Sequence, residues 1–293
     1  MSTNFTISSL VASNEPPSVS ALPSPLLEEL IQRIEQRTMM LFGTERRHHL
    51  LNTLSSRSRL ISNSDVQSYI QKVLSPTGEV EFMSLIDVLT INETSFFRNV
   101  PQMNLFARVA IPEIVARRRN QKGQTRLNVW SAACSTGQEA YTLAILAYEA
   151  LRFVPAWDVR VFATDISPTV LEVARRAVYP KARLDTTPPE ILNRYFDDLG
   201  DEIRVKEVLK QMTTFQTQNL KESFSPMTYD VIFCRNVMIY FSREDQAKLA
   251  QRFRERLTPG GFLFIGHSES LQGLNVDLQL RLQDGGVAYQ RPA

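Results

Sequence analysis

Apolar residues along this chain recur with two periods. Leu26, Leu27, Leu30, Ile31 and Ile34 fall at helical spacing within Leu26–Phe42, and the same pattern returns over 45–60, 64–74 and 79–89. In the last of these Phe82, Leu85, Ile86 and Leu89 share one face. Four such helices with short connections predict a helical domain over residues 26–91. Beyond residue 127 apolar runs alternate with helical patterns. Strands are expected near 127–132, 159–164, 213–218, 229–234 and 261–266, and helices near 139–151, 168–178 and 243–257. This alternation predicts an α/β domain over 127–293, with a mostly parallel sheet and helices on both faces.

Three stretches interrupt that plan. Residues 92–126 form an interdomain linker and helix, where Pro101 can open the helix and Pro112 must bend or restart it. About 35 residues separate the helix near 168–178 from the strand near 213. They hold a helix signal from Pro188 to Phe196 and an alternating run, Glu202 to Lys206, so a small antiparallel β-subdomain is expected as an insertion at about 179–212. Val287–Gln290 reads as a late edge strand that could run antiparallel. Residues 1–25 are rich in Ser, Pro and Asn and are expected to be a disordered tail.

Composition narrows the class. The 293 residues permit one large domain or two smaller ones, and 43% hydrophobic content supports a sizeable core. A net charge of +2 implies no global attraction to nucleic acid or to a membrane surface. Two distant cysteines and three histidines make neither a disulfide framework nor a metal centre. No apolar run reaches membrane-spanning length and no secretory leader is present, so a cytoplasmic protein without direct membrane insertion is expected.

The candidate chemistry starts at Val129-Trp130-Ser131-Ala132-Ala133-Cys134-Ser135-Thr136-Gly137-Gln138-Glu139. An apolar strand ends in a turn of small residues, and a helix follows. Small side chains let a ligand approach the backbone, as in the first βα unit of nucleotide-binding sheets. The turn lacks G-x-G-x-x-G, which disfavours a nicotinamide cofactor. The next strand ends in Asp165, an acceptor-only carboxylate suited to a ribose diol. The same residue could instead cap the helix that begins near Pro168. Glu139, Asn219, Arg235 and Asn236 also follow strand ends, where ligands of such sheets bind.

Other groups admit plainer readings. Asn92-Glu93-Thr94-Ser95-Phe96-Phe97-Arg98 could be interdomain packing, or Phe96 and Phe97 could anchor Thr94 and Arg98 over a pocket. Arg46, Arg47, Arg57 and Arg59 make one helix basic, as a solvated face or a docking surface for an acidic partner. Gly266-His267-Ser268-Glu269-Ser270 lacks the final glycine of a G-x-S-x-G nucleophile elbow. Cys234 ends a strand, where cytosine methyltransferases carry a nucleophile, but the proline usual before it is Phe233 here.

Five ordered motifs together resemble the CheR family of chemotaxis receptor methyltransferases. They are Asn92–Arg98, Trp130–Glu139, Ala163-Thr164-Asp165-Ile166-Ser167, Cys234-Arg235-Asn236-Val237-Met238-Ile239-Tyr240-Phe241 and Gly266–Ser270. The resemblance implies S-adenosyl-L-methionine (SAM) as cofactor and S-adenosyl-L-homocysteine as product. It implies a Rossmann-like methyltransferase sheet with an N-terminal helical domain and an inserted β-subdomain. Asn92, Thr94, Arg98, Ala133, Gly137, Glu139, Asp165, Ile166, Asn219, Leu220, Arg235 and Asn236 would bind the cofactor. Arg98 and Tyr240 would lie near the transferable methyl, and Arg46, Arg47, Arg57 and Arg59 would dock the receptors' cytoplasmic helical bundle. Gln138 and Ala140 depart from the Gly-Glu-Glu-Pro-Tyr usual in the family, while Glu139 keeps the acid. Members that bind a receptor's C-terminal pentapeptide carry a glycine-containing loop insertion, and Phe196–Ile203 leaves little room for one.

The implied reaction is displacement of a sulfonium methyl by a glutamate oxygen. That carboxylate is ionised near neutral pH, since its reference pKa is about 4.3, so no general base is required. Two other readings compete. A nucleic-acid methyltransferase would carry an Asp/Asn-Pro-Pro-aromatic motif where Arg235-Asn236-Val237-Met238 stands. A catalytically silent SAM-dependent sensor or scaffold is the other, and the presence of Arg98, Asp165 and Tyr240 argues against it.

Overall fold

Five parallel strands set the frame. β1 (Thr125–Ala132) lies between β2 (Trp157–Asp165) and β7 (Tyr229–Cys234). β6 (Thr213–Thr217) continues the sheet beyond β2, and β8 (Leu257–Ile265) beyond β7. Two antiparallel strands, β10 (Gly286–Gln290) and β9 (Gln279–Gln283), complete the order β6-β2-β1-β7-β8-β10-β9. The computed structural model describes residues 24–62, 65–90, 93–119, 125–184 and 187–293. Most of the expected tail, residues 1–23, lies outside them.

The expected α/β class is observed, and the five parallel strands fall where the apolar runs predict. Every residue of β7 is buried, so its sequence Tyr-Asp-Val-Ile-Phe-Cys reads as nearly continuous apolar character. The last strand differs from expectation. β10 is antiparallel, but it is the penultimate strand, and β9 forms the edge. β9 escapes a hydrophobic reading because Leu280 and Leu282 face solvent.

Helix boundaries follow local chemistry. α7 (Gln138–Leu151) starts after Gly137, whose φ is +92°. A side chain there would approach within 2.7 Å of Ala174 Cβ, so only glycine fits. α8 (Pro168–Arg176) is capped by Ser167, whose hydroxyl accepts the Val170 N–H at 3.3 Å. α11 (Arg243–Arg256) is capped in the same way by Ser242. α5 (Val100–Leu105) and α6 (Ile111–Arg118) are joined by one π turn, Phe106–Ala110, in which the Ile111 N–H reaches back to the Phe106 carbonyl. Pro112 has no N–H and crowds the carbonyl four residues before it, which explains the widened turn.

α1 (Ser24–Thr38), α2 (Thr44–Ser62), α3 (Val66–Leu74) and α4 (Glu79–Leu89) form the N-terminal helical unit. Its buried residues, including Leu30, Ile34 and Phe82, join one apolar cluster with Trp130, Ile232 and Phe253 on one face of the sheet. α5, α6 and α7 cover the other face. The insertion holds β3 (Val178–Pro180), α9 (Pro189–Tyr195), β4 (Phe196–Asp198), β5 (Glu202–Val205) and α10 (Glu207–Met212). Its antiparallel strands run in the order β3-β5-β4. Phe96 joins it to the junction, with edge-to-face contacts to Tyr179 and Phe196 at 5.2 and 5.3 Å between ring centroids. Among the described residues no helix is long and apolar enough to cross a membrane.

Candidate functional site

The strand order reverses at β1, so β2 and β7 leave a crevice beyond their carboxyl ends. A cavity opens there. Its wall includes Thr94 and Arg98 from the junction, Ala133 and Glu139 from the first turn, and Asp165 and Ile166 after β2. Asn219 and Leu220 after β6, and Arg235, Asn236 and Tyr240 after β7, complete it. Asn92 lies outside the described residues. Gly137 is a correction: it is not part of the wall but packs behind it, against Ala174 and the Tyr179 hydroxyl.

A buried ion pair holds the centre together. Arg235 Nε donates to Glu139 Oε2 at 2.7 Å, with side chains 4% and 10% exposed. The Ser131 hydroxyl donates to the other Glu139 oxygen at 2.7 Å. Arg235 Nη1 donates to the Arg98 carbonyl at 2.8 Å and to Gln102 Oε1 at 3.1 Å. The Arg98 backbone is thus tied to the pair, while its guanidinium donates through Nη1 to the Glu93 carbonyl at 2.9 Å.

Asp165 is 6% exposed. Its carboxylate accepts the Ser135 N–H at 2.8 Å and the Ser167 N–H at 3.0 Å. Burial pushes its pKa up from the ordinary aspartate value, against the lowering effect of those N–H bonds. The helix cap is Ser167, so Asp165 is not consumed as one. An ionised carboxylate offers about four lone-pair sites, and with the Ile166 N–H also acting on it, room remains for a ribose hydroxyl. Small residues at 133–135 in a turn, with φ of +62° at Ala133 and +50° at Ser135, bring backbone close to the cavity. These features fit SAM, whose ribose needs an acceptor and whose body needs an open cradle.

The acid of the Gly266–Ser270 motif has a structural task. Glu269 accepts N–H bonds from Gly266, Asn236 (3.1 Å), Val237 (2.9 Å) and Ile239 (3.1 Å), and so fixes the loop carrying Asn236 and Tyr240. Cys134 and Cys234 are buried, and burial pushes both thiols well above their ordinary pKa. That disfavours the thiolate and removes the nucleophile reading of Cys234.

The helical unit roofs the cavity. Thr38, Met40 and Thr90 belong to its wall, and no sequence signal marked them. Asn219 Nδ2 donates to the Arg37 carbonyl at 2.7 Å, and the Leu41 N–H donates to the Tyr240 carbonyl at 2.9 Å. The Arg46 guanidinium stacks 3.7 Å from the Tyr240 ring centroid. The other basic residues of α2 diverge. Arg47 bonds to Glu28, and Arg59 is exposed. Arg57 is a correction to the docking set: it is turned inward, bonding to Glu81 at 2.7 Å and to the Tyr69 hydroxyl at 3.1 Å.

Comparison with known proteins decides the family. The description "CheR methyltransferase, SAM binding domain" matches residues 92–285. The chain belongs to the CheR methyltransferase family. A chemotaxis protein methyltransferase of Salmonella typhimurium is 37% identical over 270 residues, covering 90% of each chain. One from Vibrio parahaemolyticus is 35% identical over 245 residues, covering 82% of this chain and 86% of its own. One from Borreliella burgdorferi is 34% identical over 224 residues, covering 75% and 79%. This CheR-family chain is a SAM-dependent methyltransferase, and the matched span contains the Arg235–Glu139 pair and Asp165.

The pair makes a stability prediction. Glu139→Ala leaves a buried guanidinium without its carboxylate and should destabilise the CheR-family fold by about 3–5 kcal/mol. Replacing both partners together, as Glu139→Leu with Arg235→Met, should cost less than the sum of the two single changes. Urea unfolding measures both; strictly additive losses would show that the two charges are not coupled.

Proposed function

We propose that this enzyme methylates glutamate side chains of methyl-accepting chemotaxis receptors, forming methyl esters on their cytoplasmic helical bundle. One observation carries the choice of a carboxylate acceptor. Among the described residues no histidine lines the cofactor cavity; Glu139 is bonded to Arg235 and Ser131, Asp165 to backbone N–H groups, and the remaining acid, Glu93, is exposed. An amine or hydroxyl acceptor needs a base to take its proton. A glutamate, with a reference pKa of about 4.3, arrives already ionised. SAM supplies an activated methyl on a sulfonium, which a carboxylate oxygen displaces to leave S-adenosyl-L-homocysteine. The protein's part is to orient the partners and exclude water. Asp165 holds the ribose, with Thr94, Ala133, Ile166, Asn219, Leu220 and Asn236 around the cofactor, and Arg98 orients the acceptor beside Tyr240. The test is transfer of labelled methyl from SAM to receptor cytoplasmic fragments as base-labile ester; label on nucleic acid instead would reject the reading.

Binding and turnover should separate by residue. Asp165→Ala removes hydrogen bonds to a buried diol and should weaken S-adenosyl-L-homocysteine by about 1.5–3 kcal/mol, roughly ten- to a hundredfold. Arg98→Ala should lower turnover far more than cofactor affinity, and Arg98→Lys should not restore it, because an ammonium cannot reproduce the planar fork. Calorimetry beside steady-state kinetics decides; an Arg98→Ala enzyme that fails only by losing cofactor contradicts the orienting role.

We assign receptor docking to α2, with Arg46 beside Tyr240, Arg47 paired with Glu28 and Arg59 exposed, against an acidic bundle. Arg57 contributes indirectly by tying α2 to α4 through Glu81. Arg59→Glu should raise the Michaelis constant for receptor without changing cofactor binding. The effect should fade with salt, as a screening length of about 10 Å at 0.1 M requires. A normal Michaelis constant at low salt would move the docking surface elsewhere.

We also infer that substrate capture is independent of a C-terminal pentapeptide tether. The β4–β5 connection is a tight turn, with the Leu199 N–H bonded to the Glu202 carbonyl at 2.9 Å and Gly200 at φ +93°. Asp197 and Asp198 are paired with Arg204 and Lys181, but Asp201 and Glu202 add two more acids beside them. Peptide binding along a sheet edge needs a shaped pocket beside it, and these acids repel a terminal carboxylate. Titration with a peptide ending in an aromatic residue should give no saturation below about 100 µM, a free energy weaker than roughly −5.5 kcal/mol. Micromolar binding mapped to residues 197–206 would overturn tether independence alone.

A further inference from the structure

A second cavity adjoins the first. It measures about 250 Å³, several times the roughly 30 Å³ share of one liquid water. Arg98, Arg235 and Asn236 line both cavities, where the two adjoin. Asn99, Gln102, Gly266 and His267 line the rest. None of the seven residues is acidic and none is apolar apart from glycine. Two carboxylates stand nearby, and both are already engaged: Glu139 by Arg235 and Ser131, Glu269 by four backbone N–H groups. The cavity therefore presents donors and cationic groups with no free anion competing for them. Such a site suits a carboxylate, which gains charge-assisted hydrogen bonds as it loses water.

The lining residues divide the work. Gln102 is locked, donating to the carbonyls of Ile265 (2.7 Å) and Val287 (2.9 Å) and accepting from Arg235. It gives the cavity a fixed floor. Asn99 holds φ at +65° and caps α5 with its side-chain oxygen, which accepts the Gln102 N–H at 3.2 Å. Arg98 carries five N–H donors on a planar fork, and Nη1 is bonded to the Glu93 carbonyl. His267 is the one exposed residue of the seven and marks the mouth.

We propose that this second cavity is the acceptor pocket, and that His267 is a recognition residue at its entrance. A receptor carboxylate side chain passes His267 and Asn99 and meets Arg98 where the two cavities adjoin, facing the cofactor cavity that Tyr240 lines. Its oxygen forms a bond to the methyl carbon as the carbon–sulfur bond breaks; the electron pair stays on sulfur and no proton moves. An amide side chain in the same place carries no charge for Arg98 to pair with, so the pocket selects glutamate over glutamine. This assignment rests on the methyltransferase reading above and adds where the acceptor enters.

The test uses the full chain, labelled SAM and a receptor cytoplasmic fragment. His267→Glu puts a like charge at the entrance and should raise the Michaelis constant for receptor about tenfold or more, with the effect shrinking in salt. S-adenosyl-L-homocysteine affinity should stay within about twofold, and His267→Gln, which keeps a donor, should stay within about threefold of the parent Michaelis constant. If His267→Glu does not melt cooperatively, His267→Asp carries the same charge on a shorter stem and takes its place. A folded variant with an unchanged receptor Michaelis constant overturns the proposal. So does one that loses cofactor affinity in step with receptor, since the cavity would then hold the cofactor's own carboxylate. Failure of the parent enzyme to methylate the receptor fragment sinks the functional reading and this proposal together, whereas the two variant outcomes sink the acceptor pocket alone.

Discussion

The Arg235–Glu139 pair sits where five chain segments meet, and the geometry of the site depends on it. Glu139 comes from the first turn of α7, Ser131 from β1, Arg235 from the end of β7, the Arg98 carbonyl from the junction, and Gln102 from α5. Gln102 extends the network to the carbonyls of Ile265 and Val287, at β8 and β10. A buried ion pair is weak evidence for stability, because desolvating two charges costs several kcal/mol. What it supplies here is placement. Each donor and acceptor has a partner from a different segment, so no segment can shift without leaving a buried polar group unpaired.

That constraint explains where the backbone is strained. Nine non-glycine residues among those described have positive φ, and six of them line the cavity or adjoin a residue that does: Met39, Phe97, Asn99, Ala133, Ser135 and Asn236. Each such residue costs about 1–3 kcal/mol and persists only where its surroundings over-determine it. Here the determinants are specific. The Phe97 N–H is bonded to the Thr142 hydroxyl and Asn99 caps α5. The Ser135 N–H is bonded to Asp165, and the Asn236 N–H to Glu269.

Much of this was legible in the sequence, for a definite reason. Parallel strands buried on both faces are continuous apolar runs, so their carboxyl ends can be read directly, and a polar residue after each end becomes a candidate. Asp165, Asn219, Arg235 and Glu139 were found by that rule. Thr38, Met40 and Thr90 were not, because the docking of the helical unit, rather than any local pattern, brings them to the cavity. Arg57 was misread because helical spacing alone does not say which side of α2 meets Glu81 and Tyr69. Glu269 was passed over because its partners are backbone N–H groups, which no side-chain pattern announces. Gly137 was assigned to the cofactor, and the need for glycine at the position is set by Ala174, which a side chain there would meet.

The absence of a base among the cavity's bonded side chains shifts the catalytic problem from proton transfer to restraint. A carboxylate nucleophile is weakened by every strong hydrogen bond it accepts, because those bonds stabilise the lone pairs that must attack. A guanidinium free to close bidentately on it would favour the ground state over the transition state. Arg98 is restrained. Its Nη1 is bonded to the Glu93 carbonyl, and its own carbonyl is held by Arg235. An arginine anchored at both ends of its residue offers its remaining N–H edge in one orientation and cannot follow the carboxylate. In the proposed chemistry the Glu93–Arg98–Arg235 arrangement therefore does two things: it attracts the anion electrostatically, and it limits how much of that attraction becomes ground-state binding.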